Sequence, residues 1–331
     1  MKKLLLLCCL LAVLIPIGSA QMAVPGQGVA GMNVDNVVEL ELLTETEIAD
    51  KIKKGWTSVL VPTGGTEIRG PHAVIGVHTI LASHRAIESA KRLGKTIVAP
   101  TLPFAVQATG GPSANNWNKF LADGTTAPDA GAIQVTADVF KGIQQGAVES
   151  LAYVGFKDIF LMGDHGGGQD QMKQVADEMT AKLAPRGVKV YYVPDFYQKT
   201  HDDIDMYMYN HRLPIAGHGG MMETAEMMYW EPSPYAYVRP IYKTVPYSGN
   251  SDDIDGWKAR KDGVATPAAG AGARGAGGGG GGRGGTPVAT VYPTGNPHPA
   301  TKEIGKDLAE IGISNTVNQI KALMAQAKGA N

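Results

Sequence analysis

Two stretches of this chain begin as short apolar runs and break at once into loops dense in glycine, histidine and carboxylate. The first, residues 56–61, is aromatic and β-branched as a buried strand should be, and Pro62, Gly64 and Gly65 are expected to end it. Glu67, Arg69, His72 and His78 follow within a dozen residues. The second, residues 157–162, runs into Gly163-Asp164-His165-Gly166-Gly167-Gly168. Around them the spacing predicts helices over 79–93, 135–154 and 169–183 and strands over 96–99 and 189–193, with Gly94 and Gly155 as helix stops. Strand, helix, strand at this spacing gives an α/β fold with a mainly parallel sheet. Ligands of such sheets sit outside the carboxyl ends of the strands. The two polar loops are therefore expected to face one pocket.

The remaining segments are less informative. Residues 37–43 read as a short strand, and Thr44-Glu45-Thr46-Glu47 has the pattern of a capping box opening a helix to about Lys54. Residues 100–128 form an irregular loop in which Trp117 and Phe120 would wall a pocket if it folds over the site. Gly217-His218-Gly219-Gly220 leads into a short helix over 221–230 with Glu223 near its start, and residues 201–210 carry no assignable role. Residues 264–287 are a low-complexity Ala/Gly stretch, read as a flexible insertion within one domain spanning 21–331. Residues 301–327 read as a closing helix with a break expected near Gly312.

Charge and cysteine usage narrow the chemistry. Thirty Lys and Arg against 31 Asp and Glu imply no broad attraction to nucleic acid. Residues 1–20 read as a secretory signal, with Lys2 and Lys3 ahead of an apolar run and Gly18-Ser19-Ala20 as the cleavage site. The expectation is a secreted or periplasmic protein with no stable membrane anchor after cleavage. Both cysteines, Cys8 and Cys9, lie in that leader, so the mature chain has no disulfide and any metal must use histidine and carboxylate. Glu67, His78 and His165 form a His₂Glu set of the kind that binds zinc and leaves room for water. His72 and Asp164 would stand just behind it, and His218 and Glu223 could add ligands, a general base or a carbonyl-polarising donor. For His84, His201, His211 and His298 a structural or surface role is expected. Neither polar loop matches a strongly diagnostic zinc pattern.

These residues resemble the creatininase (creatinine amidohydrolase) family. The family loop T-E-x-H-G-x-H, then T-D, resembles Thr66-Glu67-Ile68-Arg69-Gly70-Pro71-His72, then Val77-His78. The N-G-H-G-G-N loop resembles Gly163 to Gly168, and H-A-G-x-x-E-T-S resembles His218 to Ala225. A closing G-D-P-x-x-A-T segment resembles Gly295 to Thr301. The resemblance implies a single three-layer α/β domain, a homo-oligomer, often a hexamer, and hydrolysis of C–N bonds in small cyclic or linear amides. It implies two divalent metals, zinc ahead of manganese, with Glu67 and His165 as ligands, His218 as an active-site histidine and Glu223 as an active-site carboxylate.

Two departures bear on this. Arg69 stands where the family has a metal-binding histidine, and arginine has no lone pair to offer. His78 stands where the family has an aspartate that bridges both metals, and Gly167 supplies no carboxylate. One metal per chain on Glu67, His78 and His165 remains chemically complete, with Arg69 replacing the lost cation's charge or holding a substrate carboxylate. The leading reading is an exported amidohydrolase with one metal site. A catalytically silent relative that binds a small molecule or a partner comes second. A serine hydrolase comes third, because no G-x-S-x-G elbow occurs.

Export with cleavage after Ala20 is the first testable outcome. Intact-mass analysis of the exported protein should begin at Gln21; a cytoplasmic protein retaining residues 1–20 would refute it.

Overall fold

The computed structural model describes residues 34–106, 133–247, 249–264 and 293–329. The expected leader, Trp117, Phe120 and all but the first residue of the 264–287 insertion lie outside the described residues.

Among the described residues there are six strands: β1 (Ser58–Thr63), β2 (Thr96–Val98), β3 (Ala105–Val106), β4 (Gln134–Val135), β5 (Asp158–Gly163) and β6 (Lys189–Tyr192). The helices are α1 (Glu45–Lys53), α2 (Val77–Leu93), α3 (Ala137–Val154), α4 (Gln169–Leu183), α5 (Gln198–Asn210), α6 (Met221–Trp230), α7 (Ile254–Lys261) and α8 (Lys302–Gly329). The main sheet has the order β2-β1-β5-β6 and is parallel throughout, while β3 and β4 form a separate parallel pair.

Side-chain alternation along the strands builds three layers. Val59, Val61, Ile159 and Leu161 face α3 and α4. Leu60, Phe160 and Met162 face the other way, onto Ala82, Ala86 and Ala90 of α2 and Ile320 of α8. Small alanines on α2 bring that helix close to the sheet. The chain leaves β1 through α2 to the β2 edge, then crosses by α3 to β5 on the other side of β1. The strand order therefore reverses between β1 and β5, whose last residues Thr63 and Gly163 are paired. That crevice is where an α/β sheet holds ligands, and both polar loops open there.

The structure departs from the sequence expectations at four places. Pro62 lies inside β1 instead of ending it. The carbonyls of Leu60 and Pro62 both face the β2 side, accepting from Ala99 and Leu102, and β2 itself ends at Val98. No ladder donor is lost where proline lacks one. Residues 37–43 form a 3-10 turn (Leu40–Leu42) after a single parallel bridge from Glu39 to Val98, not a strand. The unassigned acidic segment is α5, whose Ile204 and Met208 are buried. Finally, α8 runs unbroken through Gly312. The capping box of α1 is present as expected, with Thr44 N–H donating to Glu47 at 2.7 Å and Glu47 N–H to Thr44 Oγ1 at 3.4 Å.

Two glycines of α8 are there for contact, not for a break. A Cβ on Gly305 would lie 1.9 Å from the Ala225 carbonyl oxygen of α6, and one on Gly312 would press on Arg85 at 3.1 Å. Gly305→Ala should therefore force α8 away from α6 and lower Tm by about 3–10 °C, the range for roughly 1–3 kcal/mol of overpacking. Gly142→Ala in α3, where a Cβ meets nothing within 4 Å, should leave Tm unchanged or raise it, because alanine is the better helix former by about 1 kcal/mol. Calorimetry of the two variants measures the difference.

Candidate functional site

The loop after β1 returns immediately to α2. Gly64 allows this, since a Cβ there would stand 2.4 Å from Thr79 Cα. The Glu67 N–H donates to the Ile75 carbonyl at 2.8 Å. Glu67 and His78, in the first turn of α2, are thereby held side by side. Asp164 and His165 arrive from the end of β5, and Gln169 at the start of α4 fixes that turn by donating to the His165 carbonyl at 2.7 Å. His218 and Glu223 come from the segment leading into α6 and from its first turn.

These residues meet around one carboxylate oxygen. Glu67 Oε2 lies 2.7 Å from Arg69 Nη2, 3.2 Å from His78 Nε2 and 3.4 Å from His165 Nε2. Its other oxygen, Oε1, is 3.3 Å from His218 Nδ1. Burial by itself would raise the Glu67 pKa, but the His165 and His78 rings at its Oε2 and the Arg69 charge hold it far below the usual carboxylate range. The ligand atoms of Glu67, His78 and His165 all lie within 4.8 Å of one another. A tetrahedral zinc with ligands at about 2.0–2.1 Å has ligand-to-ligand edges of roughly 3.3 Å. The two histidine-to-Glu67 distances match that edge, and with all three donor atoms within 4.8 Å of one another the set fits a single ion after a small inward closing.

Arg69 is 1% exposed and also ion-pairs through Nε with Glu223 Oε2 at 2.8 Å. It is thus committed to two internal carboxylates and does not face outward toward a substrate carboxylate. Glu223 further accepts from the Gly219 N–H at 2.7 Å. Burial pushes its pKa up, but the Arg69 charge prevails and keeps it low. Arg69 Nη2 also lies against His78 Nε2, while His78 Nδ1 is 2.9 Å from Asp164 Oδ2. Burial and Arg69 lower the His78 pKa, but hydrogen bonds to Asp164 and Glu67 raise it to about 9. That value favours a cationic ring, whereas the contact with Arg69 requires Nε2 to accept. The contact, being direct, governs: the proton sits on Nδ1 toward Asp164, the tautomer a metal on Nε2 needs. At His165 the arrangement is the reverse: Nδ1 accepts from the Gly167 N–H at 2.9 Å, so the neutral ring carries its proton on Nε2, toward Glu67, and a metal there would displace that proton.

All eight residues singled out from the sequence lie at or beside this crevice. His72 is fully buried behind it, with Nε2 3.1 Å from Thr224 Oγ1, and burial lowers its pKa to about 4. His218 stands at the rim, its side chain 60% exposed. Three participants were missed by sequence reasoning. Arg85, Glu226 and Thr294 carry no motif. The sequence gives Arg85 no role of its own, and only its position two turns after His78 hints at the site. Its Nη1 donates to Asp164 Oδ1 at 2.5 Å and its Nε to Glu226 Oε1 at 3.0 Å, with Nη2 on the second Glu226 oxygen. Thr294 Oγ1 accepts from the His218 N–H at 2.7 Å, so the closing segment braces His218.

Three buried carboxylates, Asp164, Glu223 and Glu226, and the partly buried Glu67 thus share two guanidiniums, Arg69 and Arg85. Burial raises the Glu226 pKa even beside Arg85, but only the ionised form offers Arg85 the two acceptors it uses. With neutral imidazoles the set is short of two positive charges, the charge of one divalent ion. Removing Arg85 would leave two buried carboxylates without a cation. Arg85→Met should cost about 3–5 kcal/mol in urea unfolding, whereas Arg92→Met, which breaks the exposed pair with Glu310, should cost at most about 1 kcal/mol.

A creatinine amidohydrolase (creatininase) family model matches residues 41–320. A tryptophan-to-phenylalanine mutant creatininase is similar in structure, with a TM-score of 0.60 at 19% identity over 86% of this chain and 98% of that one. The manganese form of creatininase gives 0.55 at 20% identity over 86% and 98%. A putative creatinine amidohydrolase from Bacteroides fragilis gives 0.55 at 17% identity over 87% and 95%. At these identities the structures show the shared fold. No curated protein matches the sequence.

Proposed function

The chain belongs to the creatininase family, and from that premise we propose that it is an exported hydrolase of amide C–N bonds, homo-oligomeric, working with one divalent ion per chain. The observation that carries this is the cluster of Glu67, His78 and His165 with the Arg69 guanidinium wedged beside it. Solved creatininases include a manganese form and a Zn-Zn form, and zinc, with manganese second, is the ion proposed here. A divalent ion on Glu67, His78 and His165 would supply the lowered pKa of a bound water, toward about 7, and polarisation of the amide carbonyl.

The residues of this chain do the rest. His218, exposed at the rim and braced by Thr294, is placed to pass a proton to the departing nitrogen. Glu223 fixes Arg69, and Arg69 supplies a permanent positive charge where the family's second metal ligand would be. That charge also opposes a second ion, by several kcal/mol at roughly 4 Å and an effective dielectric near 20. The substrate is a small amide; a mutant creatininase has been solved in complex with creatine, which sets the scale of ligand to try first.

Elemental analysis after loading with zinc or manganese should find about one ion per chain, and Arg69→His combined with His78→Asp should raise that toward two. The same preparations are assayed on cyclic and linear amides. Two ions in the unaltered protein would sink the single-metal reading. None at saturating supply, with no amide cleaved, would favour the silent relative, a reading to which Arg69 buried on Glu67 and Glu223 lends its weight.

A further inference from the structure

His78 does not reach the ligand cluster unaided. Behind it run Asp164, Arg85 and Glu226, joined in series by the contacts given above. None of the four residues is more than 6% exposed. They come from three elements, since His78 and Arg85 are two turns apart on α2, Asp164 follows β5, and Glu226 is on α6. A fourth element makes room for them. Gly312 of α8 lies so close that a Cβ would meet Arg85 Nε at 3.1 Å and Cδ at 3.2 Å.

The series has a geometric consequence. An aspartate held by one histidine alone can turn about its terminal bond, and the imidazole can turn with it. Here the second oxygen of Asp164 is fixed by Arg85, and Arg85 is fixed on its other edge by both oxygens of Glu226. An acceptor-only carboxylate in a set orientation also keeps the histidine hydrogen on Nδ1, so Nε2 keeps the lone pair that Arg69 Nη2 meets and that a metal would use. Resting on the one-metal reading above, we propose that Arg85, clamped by Glu226, is a positioning residue of the metal centre: it fixes Asp164, and Asp164 fixes the rotamer and tautomer of His78.

The test measures zinc affinity by competition with a chromogenic chelator and, before zinc is added, the histidine tautomers by ¹⁵N NMR. Asp164→Asn should bind zinc about 10–100-fold more weakly, the usual effect of losing an outer-shell carboxylate, and should lose the Nδ1–H form of His78. Glu226→Gln, three links removed from His78, should move both readouts the same way by a smaller factor. Arg85→Lys keeps the charge but not the planar fork, and should fall between them. Should these variants not fold, Gly312→Ala presses on Arg85 from outside the site and gives the same two readouts. Folded variants with the tautomer and zinc affinity of the unaltered protein would overturn the proposal. If the unaltered protein takes up no zinc, the one-metal reading fails and the tautomer decides alone: its loss in Glu226→Gln supports positioning, and its retention overturns it.

Discussion

The head of the sheet depends on one oxygen, Glu67 Oε2. Its side chain is only 13% exposed, and it has a guanidinium and two imidazole nitrogens within 3.4 Å. An ionised carboxylate in that position is tolerable only because the donors around it outweigh its desolvation. The same donors limit what else can enter. Arg69 already occupies one side, so the space left is bounded by Glu67, His78 and His165. The choice between one ion and two is therefore set by where a fixed positive charge sits, more than by the number of histidines.

That constraint reaches into the fold. The charged groups come from the loop after β1, from α2, from the end of β5 and from α6, and three of the four carboxylates, Asp164, Glu223 and Glu226, are neutralised by a group from a different element. The network cannot form piecemeal. Breaking any link leaves a buried charge unpaired, which costs several kcal/mol, far more than an exposed pair such as Arg92 with Glu310. The approach of α8 belongs to the same arrangement. Gly305 lets it touch the α6 backbone and Gly312 leaves the volume that Arg85 fills. A helix with side chains at those positions would push apart the elements that carry Glu226 and Arg85.

Much of this was legible in the sequence, for identifiable reasons. Apolar periodicity located β1, β5, α2, α4 and α6 to within two residues, and the β-α-β order gave a parallel sheet with two polar loops at one crevice. Glu67, His78 and His165 could be paired because each follows a strand that had to end at the same edge. The failures have physical causes too. Pro62 reads as a stop, but proline is harmless where a neighbouring strand has already ended. Gly312 reads as a break, but its neighbour in space is an arginine 227 positions earlier. Arg85 and Glu226 were missed because a buried ion pair between distant helices leaves no local pattern. Each looks, in sequence, like a solvated position on an amphipathic helix.

The departures from the resembled family motifs make sense only when taken together. Arg69 replaces a ligand with a cation, and His78 replaces a carboxylate with a neutral ring. Taken singly, either change would upset the charge of a closed site. Asp164, where the resembled loop has glycine, returns a carboxylate to within 2.9 Å of His78 on the ring's far side. On the one-metal reading, the carboxylate stands behind one ligand instead of between two metals, and a guanidinium takes the place of one ion. A site decaying without constraint should accumulate buried charges with no counterpart. Here Glu67 and Glu223 meet Arg69, and Asp164 and Glu226 meet Arg85. The charge still lacking is that of one divalent ion, and it is lacking around Glu67 Oε2, from which the donor atoms of His78 and His165 stand about a tetrahedral edge away. Such balance is what a site retained for one metal requires, and it weighs against a merely silent fold.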